Sequence, residues 1–355
     1  MQQRNKILLD ASYINNGGGA VLLNYYLEVI FNNNSHFRYV FIFDSRFKVP
    51  DFIKREDAII YYSSNTISRT FSYIRILLKY NPSTIFNLNN LPPPIPIIRK
   101  RCFIYFHNVL LLNKPSKNNN VIAQISFYLK FFYLKLLNRS GYFWIVQTDL
   151  VVNLLVHKLC INKKYIFSIP FFRESKLQLN VREFNSTSNS FIYVADGEKH
   201  KNHDFILTSW DLYFSKFKYS PKLFLTFDEL KYPKLANKVK LLIDSGLDII
   251  NLGVIDHKEI LNLYRSIKFV LFFSEFESFG LPLIEAAQCN KYILTCDKDY
   301  VYKIIKPSAS FSSSNYDGFV DYLNKILNHI LIPNYPILKV ENKINSLLNK
   351  IENNV

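Results

Sequence analysis

The chain has only four cysteines in 355 residues, Cys102, Cys160, Cys289 and Cys296, and no two form a Cys-x-x-Cys pair. That excludes a disulfide framework or a cysteine zinc site and predicts reduced thiols in or beside apolar segments, as in a cytosolic protein. No uncharged apolar run reaches the roughly eighteen residues of a membrane-crossing helix. The first residues lead directly into Ile7-Leu8-Leu9, without the longer apolar stretch of a secretion signal. Acidic residues are scarce in the first half. Residues 1–165 hold 21 Lys/Arg against 7 Asp/Glu, a net +14, whereas residues 166–355 hold 23 against 21, a net +2. Such a field attracts a polyanion, either nucleic acid or the anionic face of a bilayer. No nucleic-acid reading motif accompanies it, so nucleic acid ranks last among the partners expected.

What is present is an apolar and aromatic chain, 49% hydrophobic and 16% aromatic, long enough for two α/β domains. Its most informative stretch runs from Leu252 to Asp297. An amphipathic helix with Ile260, Leu261, Leu263, Tyr264 and Ile267 on its apolar side precedes the continuous apolar run Phe269–Phe273, as a strand buried on both faces would read. A loop from Ser274 to Leu281 leads to a helix predicted to begin at Pro282, a residue suited to a first helical position. Ligands of open parallel sheets bind beyond the carboxyl ends of the strands. There Gly280 allows close backbone approach, and the N–H groups of Gly280, Leu281 and Leu283 would be free to hold phosphate. Glu277 in the loop and Glu285, expected in the first helical turn, bracket this point, and each carboxylate can accept several hydroxyl hydrogen bonds.

Other loops fall at equivalent places. Strand Ile7–Asp10 is followed by Asn15-Asn16-Gly17-Gly18-Gly19 and a helix from about Ala20, with Val21, Leu22, Tyr25 and Val29 on one side. This glycine turn is neither Gly-x-Gly-x-x-Gly nor a P-loop. Residues 67–80 read as an amphipathic helix, Ile67, Phe71, Ile74 and Leu78 lining one side and Ser68, Ser72, Arg75 and Lys79 another. The strand Cys102–Phe106 ends at His107. Val121–Leu137 is a helix rich in aromatics and broken by Lys130 and Lys135, suited either to a core or to a membrane interface. A later strand runs into Asp196-Gly197-Glu198-Lys199-His200-Lys201-Asn202-His203. His200-x-x-His203 lacks further zinc ligands, and Asp297-Lys298-Asp299 lies in an ordinary loop, so no metal site is expected.

The spacing of Glu277 and Glu285 around Phe279-Gly280-Leu281-Pro282 resembles the Glu-x7-Glu signature of retaining glycosyltransferase family 4, also called glycosyl transferases group 1. Lys201-Asn202-His203 is similar to a Lys-Asn-His found in many members. The resemblance is specific over the C-terminal half and rests on element order alone in the N-terminal half. It implies the GT-B fold, an α/β class with two Rossmann-like parallel-sheet domains facing a central cleft. The expected bounds are 1–168 for an acceptor-binding domain, 169–335 for a nucleotide-sugar domain and 336–355 for a helix crossing back. It further implies transfer of a sugar from a nucleotide-diphosphate donor to a hydroxyl of a glycan or polyprenyl-diphosphate-linked acceptor, with no further cofactor. In those terms His107 and Glu277 would contact the transferred sugar and Glu285 the ribose. Lys201, Lys199, Gly18, Gly19, Gly280, Leu281 and Phe279 would surround the phosphates, and Val254 would lie at the base. Members carry an Arg shortly before that Lys; here Glu198 and Lys199 stand in its place, which favours Lys199 or Lys201 alone as the phosphate cation. A non-catalytic GT-B partner subunit, a nucleic-acid-binding protein and a GT-B epimerase are the rival readings. The basic N-terminal half would place the protein peripherally at the cytoplasmic face of the inner membrane.

Overall fold

The computed structural model describes residues 6–33, 38–53, 58–97, 99–113, 121–174 and 189–352; for residues 38, 121–123 and 126 only the backbone is described. The chain divides into two compact units, one of residues 1–173 with 341–355 and one of residues 174–340. Residues 175–188, near the start of the second unit, lie outside the described residues.

The first unit is built from β1 (Lys6–Ala11), α1 (Gly17–Asn32), β2 (Arg38–Asp44), β3 (Ile59–Ser63), α2 (Thr66–Tyr80), β4 (Thr84–Asn87), β5 (Arg101–Phe106), α3 (Val121–Leu137), β6 (Phe143–Val146), α4 (Asp149–Leu159) and β7 (Ile166–Ser168). Its sheet has the order β3-β2-β1-β4-β5-β6-β7, and every pairing is parallel. Strand order reverses between β1 and β4, which opens a crevice beyond their carboxyl ends. Tyr73 and Ile76 of α2, Leu134 of α3 and Val151 and Leu155 of α4 share one core with Leu8, Ile85, Ile104 and Trp144, so these helices cover one sheet face. On the other face Tyr26 of α1 meets Phe86 of β4, ring centroids 5.3 Å apart.

Three expectations change here. The glycines 17–19 are the first turn of α1 rather than a loop before it, with Asn16 as the N-cap. The buried side of α1 is Leu22, Leu23, Tyr26, Leu27 and Ile30, with Val21, Tyr25 and Val29 only half-buried. In α2 the polarity is reversed: Arg69, Ser72, Tyr73 and Ile76 are buried, while Ile67, Phe71, Ile74 and Leu78 face outward. The cause is a buried ion pair. Arg69 reaches Asp10 of β1 at 2.7 Å with both side chains fully buried, so this side of α2 must face the sheet. Cys160 also departs from expectation, being exposed at the left-handed C-cap of α4, whereas Cys102, Cys289 and Cys296 are buried.

The second unit comprises β8 (Phe191–Tyr193), α5 (His203–Phe217), β9 (Leu223–Leu225), α6 (Pro233–Asp244), β10 (Ile249–Asn251), α7 (His257–Ser266), β11 (Phe269–Phe272), α8 (Leu281–Gln288), β12 (Tyr292–Cys296), α9 (Asp299–Ile304), β13 (Ile305–Lys306), β14 (Ala309–Phe311), α10 (Tyr316–Leu327) and β15 (Ile337–Leu338). Its main sheet has the order β10-β9-β8-β11-β12-β14, again parallel, and reverses between β8 and β11. The residues of β11 are all buried, as their apolar run predicts. β13 and β15 form a separate antiparallel pair.

From residue 341 the chain belongs to the first unit, where α11 (Ile344–Glu352) lies. Lys343 N–H donates to the Pro170 carbonyl at 2.8 Å. Asn342 Nδ2 donates to Tyr25 Oη at 2.7 Å, and Tyr39 Oη donates to Glu352 at 2.8 Å. These bonds seat the C-terminal segment on the α1 side of the sheet.

Candidate active site

Each unit gathers polar groups at its own switch point. In the second, β8 ends in the turn Asp196–Glu198 and a short 3-10 turn, Lys199–Lys201, before α5. A β-carbon on Gly197 would overlap the Tyr232 ring, so only glycine fits there without displacing it. The loop after β11 is fastened to this turn. Glu275 N–H donates to the His200 carbonyl at 2.7 Å, and Asn202 Nδ2 donates to Glu275 at 3.1 Å. Lys298 pairs with the other Glu275 oxygen at 2.5 Å. Tyr300 Oη donates to the Ser274 carbonyl at 2.5 Å, and Tyr193 Oη donates to the Lys201 carbonyl at 2.5 Å.

The fastening brings Lys201 Nζ to 2.5 Å from Glu277 Oε1, both side chains mostly buried. An ammonium has three donors, so two remain for another anion. Beside them α8 starts at Leu281, with Gly280 as its N-cap at φ +67°. A left-handed backbone of this kind favours glycine. The N–H groups of Gly280 and Leu281 have no acceptor among the described residues and mark the positive end of the helix. Leu283 does not join them, because its N–H donates to the Gly280 carbonyl at 2.9 Å in the tight first turn. With α8 starting at Leu281, Glu285 lies at the beginning of the second turn rather than in the first.

Glu285 has a partner that sequence reading missed. His257 Nε2 lies 2.7 Å from Glu285 Oε1. A carboxylate only accepts, so Nε2 carries the hydrogen. His257 is the first residue of α7, which is set by a capping box between Asp256 and Glu259. The Asp256-x-x-Glu259 pattern was the available signal for this helix start, but not for the contact 28 residues away. Val254 lies exposed after Gly253, whose φ is +70°. Phe279 is buried, so its side chain belongs to the core. Lys199 is exposed, and the position just before it is Glu198, which accepts from Tyr232 Oη at 2.9 Å. Asp297 accepts from Tyr302 Oη at 2.7 Å, and Asp299 starts α9.

In the first unit, Gly19 and His107 come together: a β-carbon at Gly19 would lie 3.3 Å from His107 Nε2. Gly18 belongs to the same first turn of α1. Asn90, after β4, fixes the ring. Its Oδ1 accepts from the His107 backbone N–H at 2.6 Å, which turns its amide NH2 toward Nε2 at 3.3 Å. Nε2 is therefore the acceptor nitrogen. Burial pushes the His107 pKa down to about 4, opposed by a hydrogen bond with the Tyr105 backbone. The ring is neutral near pH 7 and serves as a hydrogen-bonding group, not as a cation. Behind it, the Asp10 carboxylate accepts from Arg69 Nε at 2.8 Å, Tyr73 Oη at 2.9 Å and the Ser12 backbone at 3.0 Å. Arg69 Nη2 holds the Pro92 carbonyl at 2.9 Å. This network fixes the loops after β1 and β4, and sequence reading missed it.

Two parallel-sheet α/β units, each with a switch point at the carboxyl ends of its strands, are the architecture of the GT-B fold. Solved structures share this fold over nine-tenths or more of the chain. A glycosyltransferase from Rickettsia africae is 17% identical, with 91% of this chain and 89% of that one covered and a TM-score of 0.63. WaaG, a glycosyltransferase involved in lipopolysaccharide biosynthesis, is 13% identical over 91% and 90%, TM-score 0.67. Anabaena HepE, solved in complex with UDP and glucose, is 13% identical over 98% and 95%, TM-score 0.62. No curated protein matches the chain. Residues 175–337, nearly all of the second unit, match the family described as glycosyl transferases group 1, and in that part the chain is similar to glycosyltransferases.

Proposed function

We propose that the protein transfers a sugar, with retention of configuration, from a nucleotide-diphosphate donor to a hydroxyl of a lipid-linked glycan in the assembly of a bacterial surface polysaccharide. The observation that carries the donor reading is the Lys201–Glu277 pair beside the free Gly280 and Leu281 N–H groups. The diphosphate leaving group gains charge as the glycosidic bond breaks, and fixed donors at that position stabilise the transition state more than the ground state. Lys201 and the two N–H groups take the phosphates, so no metal is needed and the missing Arg is replaced by backbone donors. Glu285, oriented by His257, accepts from the ribose hydroxyls. Glu277 accepts from hydroxyls of the transferred sugar while keeping Lys201 in place. Gly253 and Val254 border the base. In the first unit His107, its ring fixed by Asn90, lies beside the first turn of α1, where Gly18 and Gly19 offer backbone N–H groups to a substrate anion. The name of WaaG and the UDP and glucose bound to HepE support a uridine-diphosphate hexose donor and a surface-glycan acceptor.

The test is a thermal-shift panel of nucleotide sugars on the full chain. A donor at about a hundred times its Kd stabilises by about 2.7 kcal/mol, and Glu285→Ala is expected to remove most of that shift. A panel in which no nucleotide or nucleotide sugar raises the melting temperature would reject the reading.

A further inference from the structure

Two helices of the first unit present an apolar stripe on the side turned away from the sheet. On α2 it consists of Ile67, Phe71, Ile74 and Leu78, and on α3 of Ile125, Leu129, Phe132 and Leu136. Both follow the spacing i, i+4, i+7, i+11, which is one face of a helix. The exposure is large, 69% at Phe71, 82% at Leu78 and 64% at Phe132. The two stripes share one surface. Both helices cover the same sheet face, and Tyr133 of α3 lies close enough to Arg69 of α2 to feel its charge. Monomeric proteins rarely leave a contiguous apolar patch of this kind without a partner.

The charge around the patch identifies that partner. Neither helix contains an Asp or Glu, and Arg75, Lys79, Lys130 and Lys135 are exposed on them. From residue 58 to residue 148 the chain carries eleven Lys/Arg and no acidic residue. Protein interfaces are depleted in lysine. An anionic lipid surface instead takes apolar side chains and long cationic ones together, the former below the headgroups and the latter at the phosphates. The patch also begins beside the site. Tyr13, which follows β1 and precedes the Gly17–Gly19 turn, donates from Oη to Thr66 Oγ1 at the start of α2 at 3.2 Å.

We infer that the α2–α3 face docks onto an anionic bilayer, with both helices lying along its surface and their eight apolar side chains in the headgroup–acyl boundary. This brings the first unit's site to the level at which the sugar of a lipid-linked acceptor stands. The docking deepens the proposed function and rests on it only for its purpose.

Flotation of the full chain with phosphatidylglycerol–phosphatidylcholine vesicles tests it, with phosphatidylcholine alone and high salt as the weaker-binding arms. Each exposed Phe or Leu that enters the boundary contributes about ten-fold to partitioning. The variant Phe71→Ser, Leu78→Ser, Leu129→Ser, Phe132→Ser is therefore expected to stay unbound while hydrolysing donor in solution at the parent rate. Trp144 and Trp210 are both buried, so Phe132→Trp is expected to add emission that shifts to the blue with the anionic vesicles. Flotation of the serine variant at the parent level, or no binding by the parent at low salt, overturns the inference. A blue shift that instead follows protein concentration without vesicles, together with a dimer in sedimentation, assigns the face to a second copy and also overturns it. Loss of donor turnover with vesicle binding intact sinks the proposed function and leaves the docking surface standing.

Discussion

Acidification is expected to destabilise the second unit through His203. This residue opens α5 and is buried, its ring 4.9 Å from Tyr193 and 5.8 Å from Phe227. Nε2 has no hydrogen-bond partner among the described residues. Burial pushes the His203 pKa down to about 4, and the positive end of α5 also disfavours the imidazolium. An unfolded chain takes up this proton near pH 6.5. Between about pH 6.5 and about pH 4 the unfolded state therefore binds a proton that the native state refuses, so stability is full above that window and falls as the pH drops through it. Integrating these two pKa values from about pH 7 to about pH 5 gives a loss of about 2 kcal/mol from this residue. His107 carries a similar depression in the first unit, so the contribution must be isolated. Urea titrations of Trp144→Phe, with Trp210 on α5 as the reporter, compared with Trp144→Phe/His203→Phe at both pH values, do this. Phenylalanine fills the aromatic space and has no nitrogen to leave unpaired. The histidine protein is expected to lose about 2 kcal/mol more than its His203→Phe counterpart. Equal losses would show that the native site accepts the proton without penalty and refute the burial argument.

Gly197→Ala forces a β-carbon onto the Tyr232 ring; overpacking of this kind costs about 1–3 kcal/mol, and a melting temperature equal to the parent's would contradict the geometry. Gly280→Ala strains a backbone at φ +67° and brings a β-carbon to 3.2 Å from Leu283 and Phe272. It is expected to cost about 1–2 kcal/mol and to weaken donor affinity in calorimetry by tilting the α8 N-terminus. Arg69→Met leaves the Asp10 carboxylate buried without its cation. A loss of about 3 kcal/mol in chemical denaturation is expected, and Asp10→Asn in the same chain should restore part of it.

The legible parts were those carried by local pattern. The run Phe269–Phe272 is buried on both faces, and a period-free apolar stretch is its direct signature. Gly280 and Pro282 punctuate the start of α8 for equally local reasons. The illegible parts depend on distant pairs. Helical periodicity in residues 67–80 discloses an apolar face but not which way it turns, and an Asp 59 positions earlier decides that. β3 and β4 were passed over because Ile59–Ser63 mixes tyrosines with serine and Thr84–Asn87 is only four residues long. Their place is set by pairing with β2 and β1. His257 and Glu285 meet across two elements, and nothing in either segment announces the other. Glycines 17–19 read as loop because glycine is a poor helix former, yet they form the first turn of α1, where a β-carbon on Gly19 would press on His107 Nε2 at 3.3 Å.

The central question is whether Lys201, without the neighbouring Arg that the family resemblance leads one to expect, serves a working site. The decisive measurement is release of nucleotide diphosphate from the donor that gives the largest thermal shift, by the parent chain and by Lys201→Ala and Glu277→Ala. The account predicts turnover by the parent and a loss of about a hundred-fold or more in each variant, with the fold retained by circular dichroism. A parent that binds the donor and never turns it over, or an alanine variant at the parent rate, would contradict it.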